Sequence, residues 1–157
     1  IAIAADGTIY VAGFADGKSV ILSVLASGAP NTAFDEDGVR FIDSVTDLWT
    51  ITVLDDGRLR AGANVGGAVH VFGLTATGAP DQSFHGGTPF VYDTADGDYV
   101  EEIVLRADGS LLVAGATAAK LQPDLLLGKD EMSGPHDIPP SWLEQAMDFL
   151  AVVNALG

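Results

Sequence analysis

The residues with the clearest potential for chemistry are two carboxylates that lie two positions apart, just before a glycine. They are Asp35 and Asp37 in the stretch Asp35-Glu-Asp-Gly38. Calcium is bound by carboxylate oxygens, and acidic residues at this spacing before a glycine resemble the start of a calcium loop. The stretch 50 residues further along the chain, at residues 85–87, reads His-Gly-Gly instead. The pattern favours a solvated acidic turn, with a calcium site at Asp35 and Asp37 as the alternative.

Other side chains that could do chemistry are scattered along the chain. His70, His85 and His136 are not spaced as metal ligands, and His70 reads as part of a buried strand. No Gly-x-Ser-x-Gly motif is present, and the chain has no cysteine to act as a nucleophile. We therefore predict no catalytic residues and no cofactor. Paired carboxylates for glycan cleavage keep a glycan-active enzyme as a second alternative, because 22 residues are acidic.

The charge balance excludes some classes of partner. Seven Lys and Arg residues stand against 22 Asp and Glu residues, which gives a formal charge of −15. Phosphate backbones and anionic lipids would be repelled, so nucleic-acid binding is excluded. No apolar run reaches the roughly 20 residues that a membrane-spanning helix needs, so no membrane insertion is predicted. Hydrophobic residues make up 48% of the chain, enough for a packed core.

An internal repeat dominates the sequence. An alternating apolar run meets Asp-Gly, continues as a second apolar run and ends at glycine. The three copies begin at Ile1, Ile51 and Ile103. Their Asp-Gly turns start at Asp6, Asp56 and Asp108. A constant period near 50 residues is typical of a repeat architecture.

Within a copy, every element reads as a strand. Period-two alternation predicts the two strands around Asp-Gly, and residues 19–25 and 68–74 predict a third. A Gly-Ala-Pro turn leads to Phe34 or Phe84, which we expect in the core, and a fourth short strand follows. Four short strands per copy predict an all-β fold of β-propeller-type repeats, about three four-stranded blades. A closed propeller needs further blades, which missing sequence or another chain would supply.

We divide the chain into a repeat region, residues 1–135, with units at about 1–50, 51–102 and 103–135. Residues 136–157 form the second part, a proline-containing linker followed by a predicted amphipathic α-helix. Ser141 and Glu144 match a capping box at the start of that helix. Its apolar face is predicted to dock on a partner or on the body of the chain, through Trp142, Ala146, Phe149, Leu150, Val153 and Leu156.

The first copy, Ala5-Asp-Gly-Thr-Ile-Tyr-Val-Ala-Gly13, and its third-copy counterpart at residues 107–115 resemble the delta-60 repeats of bacterial propeller-like proteins. The segments that end at Phe34 and Phe84 extend the likeness, which covers roughly residues 1–135. The second copy departs from the pattern, with its glycine at Gly62 one residue early. The resemblance implies a propeller on an exported protein, placed outside the cell, on its surface or in the periplasm. It transfers no catalytic residues.

We therefore expect a non-enzymatic structural or protein-interaction module whose partners are other proteins, further copies or further blades. A calcium-dependent adhesin or a carbohydrate-binding module is the first alternative, with calcium as its cation and a glycan as its ligand. Motif residues that recur in every copy build the scaffold. Function is therefore expected in the unrepeated parts of the chain.

Overall fold

The computed structural model describes residues 1–43, 45, 47–94 and 97–117, together with the backbone of residues 150–154. These residues form an all-β structure of three antiparallel sheets, which confirms the predicted all-β class. The strands are β1 (Ala2–Ile3), β2 (Ile9–Ala15), β3 (Lys18–Val24), β4 (Val39–Ile42), β5 (Asp47–Val53), β6 (Leu59–Val65), β7 (Ala68–Leu74), β8 (Phe90–Tyr92), β9 (Asp98–Leu105), β10 (Ser110–Thr117) and β11 (Leu150–Asn154). A short 3-10 turn lies at His85–Gly87.

The sheets follow one another along the chain. Sheet 1 has the strand order β1-β2-β3-β4, sheet 2 has β5-β6-β7-β8, and sheet 3 has β9-β10-β11. Each neighbouring pair is antiparallel. Short connections explain the pairing of β1 with β2, β2 with β3, β5 with β6, β6 with β7 and β9 with β10, because antiparallel neighbours can be joined by a turn of a few residues.

The Asp-Gly turns join the first two strands of every sheet by the same geometry. A side-chain oxygen of Asp6 accepts a hydrogen bond from the backbone nitrogen two residues on, at 2.9 Å. Asp56 and Asp108 do the same at 3.1 and 3.0 Å. The glycine that follows each aspartate has φ of 82–84°, which favours glycine over residues with a side chain. This local chemistry fixes the position of each hairpin.

The repeat is preserved residue by residue between sheets 1 and 2. Ile9 pairs with Val24 in sheet 1, and Leu59 pairs with Leu74 in sheet 2, an offset of 50 at both positions. The offset is the same at Ala15 and Val65, the last residues of β2 and β6. Strand β6 therefore has the same length as β2, although its glycine comes one residue earlier. Its glycine has moved to the opposite face, so that Gly62 corresponds to Ala12.

The sheets stack face to face in chain order. Strand β5 contacts β1, β2 and β3 of sheet 1, and β9 contacts β5, β6 and β7 of sheet 2. Two separate apolar cores result. The first, between sheets 1 and 2, includes Tyr10, Ile21, Phe34, Ile42, Ile51, Leu59, Ala61 and Leu74. The second, between sheets 2 and 3, includes Val69, Val71, Phe84, Val100, Ile103, Leu111 and Val113. Phe34 and Phe84 are 0% and 1% exposed, which confirms their predicted core positions.

Hydrogen bonds between the sheets fix how one sheet lies on the next. The Ser19 hydroxyl of sheet 1 accepts from the Leu48 backbone nitrogen of sheet 2 at 3.1 Å. The Asn64 side-chain oxygen of sheet 2 accepts from the Val100 backbone nitrogen of sheet 3 at 2.7 Å. Leu48 and Val100 occupy equivalent positions in the repeat. Their backbone N–H groups therefore donate to different side chains, a serine at one interface and an asparagine at the other. Buried backbone N–H groups need such partners.

The predicted C-terminal helix is wrong for residues 150–154. These residues form strand β11, which pairs with β10 from Ser110↔Asn154 to Ala114↔Leu150. Adjacent valines at 152 and 153 favour an extended backbone, and β10 would otherwise present an open edge. A short apolar run does not distinguish helix from strand by periodicity alone. The rest of the predicted helix lies outside the described residues.

Glycine at position 73 makes room for one of the core phenylalanines. A Cβ atom on Gly73 would lie 2.7 Å from Cβ and Cδ1 of Phe84, closer than van der Waals contact allows. A Cβ atom on Gly13 of strand β2 would meet nothing within 4 Å. The two glycines therefore form a matched pair for testing the packing.

We expect Gly73→Ala to destabilise the fold by about 1–3 kcal/mol, because Phe84 must move out of a close-packed site. Gly13→Ala should be neutral or stabilise by up to about 1 kcal/mol, because it restricts the unfolded chain. Urea unfolding of the two variants and the wild-type protein measures both effects. Equal stability of the two variants would contradict the packing described for Phe84.

Candidate functional site

The predicted calcium ligands, Asp35 and Asp37, contact other groups of the protein. A carboxylate oxygen of Asp35 lies 3.1 Å from Nη1 of Arg40, and one of Asp37 accepts from the Val39 backbone nitrogen at 2.8 Å. The Asp35 backbone nitrogen also donates to the carbonyl of Thr77 in sheet 2 at 3.0 Å. Within the described ranges, no three His, Cys, Asp or Glu side chains are grouped so that they could hold a metal ion. The loop at 35–38 thus links sheets 1 and 2, and calcium binding stays a prediction.

The two described histidines lie in unrelated surroundings. His70 is in strand β7, half-buried and stacked on Phe72 with ring centroids 6.2 Å apart. Burial lowers the pKa of His70. His85 is exposed, with Nδ1 3.2 Å from the Thr88 hydroxyl. His136 lies outside the described residues. The structure does not bring the two described histidines together with other titratable groups.

The residues predicted to dock through the C-terminal helix are largely outside the described part of the chain. Trp142, Ala146, Phe149 and Leu156 are not described. The backbone of Leu150 and Val153 lies in strand β11, at the edge of sheet 3. Docking through Trp142, Ala146, Phe149 and Leu156 stays a prediction.

An apolar sheet face lies at the start of the stack, on sheet 1. Alternate residues of sheet 1, including Tyr10 and Ile21, pack on sheet 2, so the residues between them lie on the opposite face. That opposite face is called here the outer face of sheet 1. Its residues are Ile3, Ile9, Val11, Val20, Leu22, Val24, Val39 and Phe41. Ile3 is 65% exposed, Leu22 and Phe41 are 38% and 39% exposed, Val20 is buried, and the other four are half-buried. A partly exposed apolar sheet face is a candidate interaction site.

A buried ionic cluster lies between sheets 2 and 3, where sequence reasoning had named no functional residue. The side chain of Arg60 is fully buried and its Nη1 lies 3.0 Å from Oδ2 of Asp81. The guanidinium of Arg60 also lies over the ring of Phe84, 4.4 Å from its centroid. Asp81 further accepts from the backbone nitrogen and the hydroxyl of Ser83, at 3.0 and 2.6 Å, and from Arg58 at 3.3 Å. With its oxygens so occupied, Asp81 is a structural anchor and is not free to act as a base.

The first copy has a neutral set at the corresponding positions. Tyr10 replaces Arg60 and makes an edge contact with Phe34, with ring centroids 5.7 Å apart. Asn31 replaces Asp81, and its amide donates to the hydroxyl of Ser23 at 3.0 Å. Ser23 in turn replaces Gly73. The charged set of the second copy was detectable in the sequence as a lone arginine in an apolar strand, paired with an Asn-to-Asp change 21 residues on.

A second buried carboxylate, Asp98, lies at the start of strand β9 in sheet 3. Asp98 is fully buried and accepts from the Thr94 backbone nitrogen at 2.6 Å. The hydroxyls of Thr94 and Thr117 donate to it at 2.8 and 2.7 Å. Burial would raise the pKa of Asp98, but these hydrogen bonds outweigh it and hold the pKa below its usual range. Like Asp81, this carboxylate is engaged in holding the sheets.

An open cavity of about 400 Å³ lies at the seam of sheets 1 and 2. Its walls include Phe14 and Trp49, which are 63% and 64% exposed, and the exposed acid Asp47. Trp49 is the extra residue of a β-bulge in β5, between Leu48 and Thr50. Bulges re-aim side chains and are common near binding sites. The corresponding bulge of sheet 3 carries Glu101, so the tryptophan breaks the repeat.

No known protein family, no curated protein and no solved structure matches this chain. The resemblance to delta-60 repeats therefore stays a prediction. Within the described ranges, no helix has the length and apolar character needed to cross a membrane.

We expect Asp81→Asn to destabilise the protein by about 3–5 kcal/mol, because it leaves the buried Arg60 charge without its counter-ion. Burial would raise the pKa of Asp81, but hydrogen bonds from Ser83 and the charge of Arg60 outweigh it, so the net pKa is lowered. The ionised form therefore stabilises the fold above the unfolded pKa of about 4, and this contribution is lost as pH falls through the folded value. Thermal unfolding from about pH 7 to pH 2 should show a shallower pH dependence in the variant.

Asp55→Asn, the same change at an exposed carboxylate, is the control and should leave stability nearly unchanged. A double variant, Arg60→Tyr with Asp81→Asn, removes the buried charge together with its counter-ion, as in the first copy. It should recover most of the stability that Asp81→Asn loses. If Asp81→Asn and Asp55→Asn unfold alike, the ionic cluster does not stabilise the fold as argued.

Proposed function

We propose that this chain is a non-enzymatic structural and protein-interaction module, built from propeller-type repeats and belonging to an exported or cell-surface bacterial protein. The observation that carries the proposal is the outer face of sheet 1, which is apolar from Ile3 to Phe41. A sheet with one face in water carries polar residues on that face and apolar residues on the other. Sheet 1 is apolar on both faces. A sheet of that composition is suited to packing against another protein surface.

The repeat supports an architecture of blades. Sheets 1 and 2 share strand order, turn geometry and register at a constant offset of 50 residues. Sheet 3 begins with the same hairpin and the same bulge. Successive four-stranded sheets that pack face to face are the building units of a propeller. The export of the protein rests on the resemblance to delta-60 repeats alone.

The engaged carboxylates support a structural role. The buried acids among the described residues, Asp81 and Asp98, each accept several hydrogen bonds that tie strands and turns together. A general base needs a carboxylate with a free oxygen facing a substrate cavity. Polar groups in this interior serve to position one sheet on the next.

The test is whether the outer face of sheet 1 is open to a protein partner. At a concentration low enough to dissociate complexes, the chain should bind the apolar dye bis-ANS, and Leu22→Glu should reduce the fluorescence severalfold. Val91→Glu is the matched control, because Val91 is 48% exposed on the outermost strand of sheet 2. Dye binding that is absent, or unchanged by Leu22→Glu, would show that this face is not available for interaction.

The cavity at Trp49 favours a second candidate function, carbohydrate binding. Exposed aromatic rings supply apolar faces for sugar rings, and a nearby carboxylate accepts hydrogen bonds from sugar hydroxyls. Phe14, Trp49 and Asp47 provide both at one cavity. The tryptophan is unrepeated, as a binding residue on a repeat scaffold would be.

For this candidate, a glycan array should show binding that Trp49→Ala abolishes and that Tyr99→Ala leaves unchanged. Tyr99 is a comparably exposed aromatic residue, 48% exposed, in sheet 3. Intrinsic tryptophan fluorescence should also shift when the bound glycan is added. An array without a hit, or a hit that persists in Trp49→Ala, would remove this candidate.

A further inference from the structure

The outer face of sheet 1 is equivalent to a face that is buried elsewhere in the same chain. At the offset of 50 residues, Ile9 and Val11 correspond to Leu59 and Ala61 of sheet 2. Leu59 and Ala61 are 0% exposed because they pack on sheet 1. The outer face of sheet 1 therefore has the composition of a surface made to receive another sheet. The face that would pack on it should resemble the face of sheet 1 that packs on sheet 2.

A face of that kind is present at the other end of the stack. On sheet 3, Leu111 and Val113 pack on sheet 2, so Leu112 and Ala114 lie on the opposite side with Val104. This side is called here the outer face of sheet 3. Val104 is 45% exposed and the other two are half-buried. Their counterparts in sheet 1 are Ala2, Tyr10 and Ala12, which pack on sheet 2. Among the described strands, the main contacts of sheets 1 and 3 with another sheet are with sheet 2.

A hydrogen bond from a backbone nitrogen to a side chain supports the match between the two ends. Between sheets 2 and 3, the hydroxyl of Thr50 accepts from the Ile103 backbone nitrogen at 3.3 Å. In the repeat, Thr50 corresponds to Glu102 and Ile103 corresponds to Ile1. If sheet 3 of one copy packed on sheet 1 of another, the carboxylate of Glu102 would meet the backbone nitrogen of Ile1. A carboxylate accepts from an N–H donor, whether a backbone amide or an amino group, at least as well as a hydroxyl does.

We infer that two copies of this chain assemble head to tail, with the outer face of sheet 3 of each copy packed on the outer face of sheet 1 of the other. This inference rests on the proposed function and names its partner. The two faces differ from each other, so the contact is heterologous, and a heterologous contact must close into a ring or grow into a filament. Three described sheets in each chain give six in the pair, within the range of about four to eight at which propellers close.

The assembly can be tested by light scattering after gel filtration. The wild-type protein is expected at twice the chain mass of 16.2 kDa. Leu22→Glu alters the outer face of sheet 1 and Val104→Glu alters that of sheet 3, and each alone should yield the monomer. Val91→Glu, the same change at a valine of similar exposure off both faces, should stay dimeric. Thermal unfolding of each variant at equal concentration checks that it is folded.

Mixing the two variants distinguishes this head-to-tail arrangement from an isologous one, in which the same face of each copy meets itself. An equimolar mixture of Leu22→Glu and Val104→Glu retains one intact pair of faces, so an open dimer should form again. If Val104→Glu stays dimeric while Leu22→Glu does not, two sheet 1 faces meet each other and the head-to-tail inference is wrong. Filaments in place of dimers would contradict ring closure.

A monomeric wild-type protein would overturn the inference, and the bis-ANS result then decides what else fails. Dye binding that depends on Leu22 would leave the proposed interaction face standing, with a different partner. A monomer without such binding would contradict the proposed function as well, and would indicate that other residues of the chain cover the face.

Discussion

The structure depends on the burial of sheet 2 on both of its faces. In strand β6, every residue from Leu59 to Asn64 is buried, although the side chains alternate between opposite sides. Such a sheet cannot face water on either side, so it requires a neighbour on each. Sheets 1 and 3 supply these neighbours, and the two cores follow from that requirement. The apolar area removed from water, at about 25 cal/mol per Å², is the main source of stability in such a stack.

The same constraint explains why the buried polar residues around the core phenylalanine differ together, as a group, between the first and the second copy. Around Phe34 the first copy places Tyr10, Ser23 and Asn31, and around Phe84 the second copy places a charged set. A single change from one set to the other would bury a charge or a polar group without its partner, at a cost of several kcal/mol. The backbone of the repeat is therefore held constant while the side-chain chemistry alternates as a unit. Covariation of this kind within one chain is a physical sign of contact.

The ends of the stack differ from its middle for a simple reason. An interior sheet meets a neighbour on each side, whereas an end sheet has one face left over. Here that face in sheet 1 remains as apolar as the buried faces, which is how an interaction surface differs from an ordinary solvent-facing sheet. The unrepeated aromatic residue Trp49 lies at the seam of sheets 1 and 2. Both proposed binding surfaces therefore lie where the repeat stops or is broken.

The sequence by itself determined the all-β class, the period, the Asp-Gly turns and the core positions of Phe34 and Phe84. These follow from local rules, because alternation, turn residues and period are set by neighbours in the chain. It did not determine that Arg60 is buried against Asp81, that the shifted glycine leaves the strand length unchanged, or that residues 150–154 form a strand. Those outcomes depend on which sheet packs on which face and on which edge lacks a partner. Only the tertiary structure decides this, because a residue in a strand cannot specify from its own segment what will lie on the other side of it.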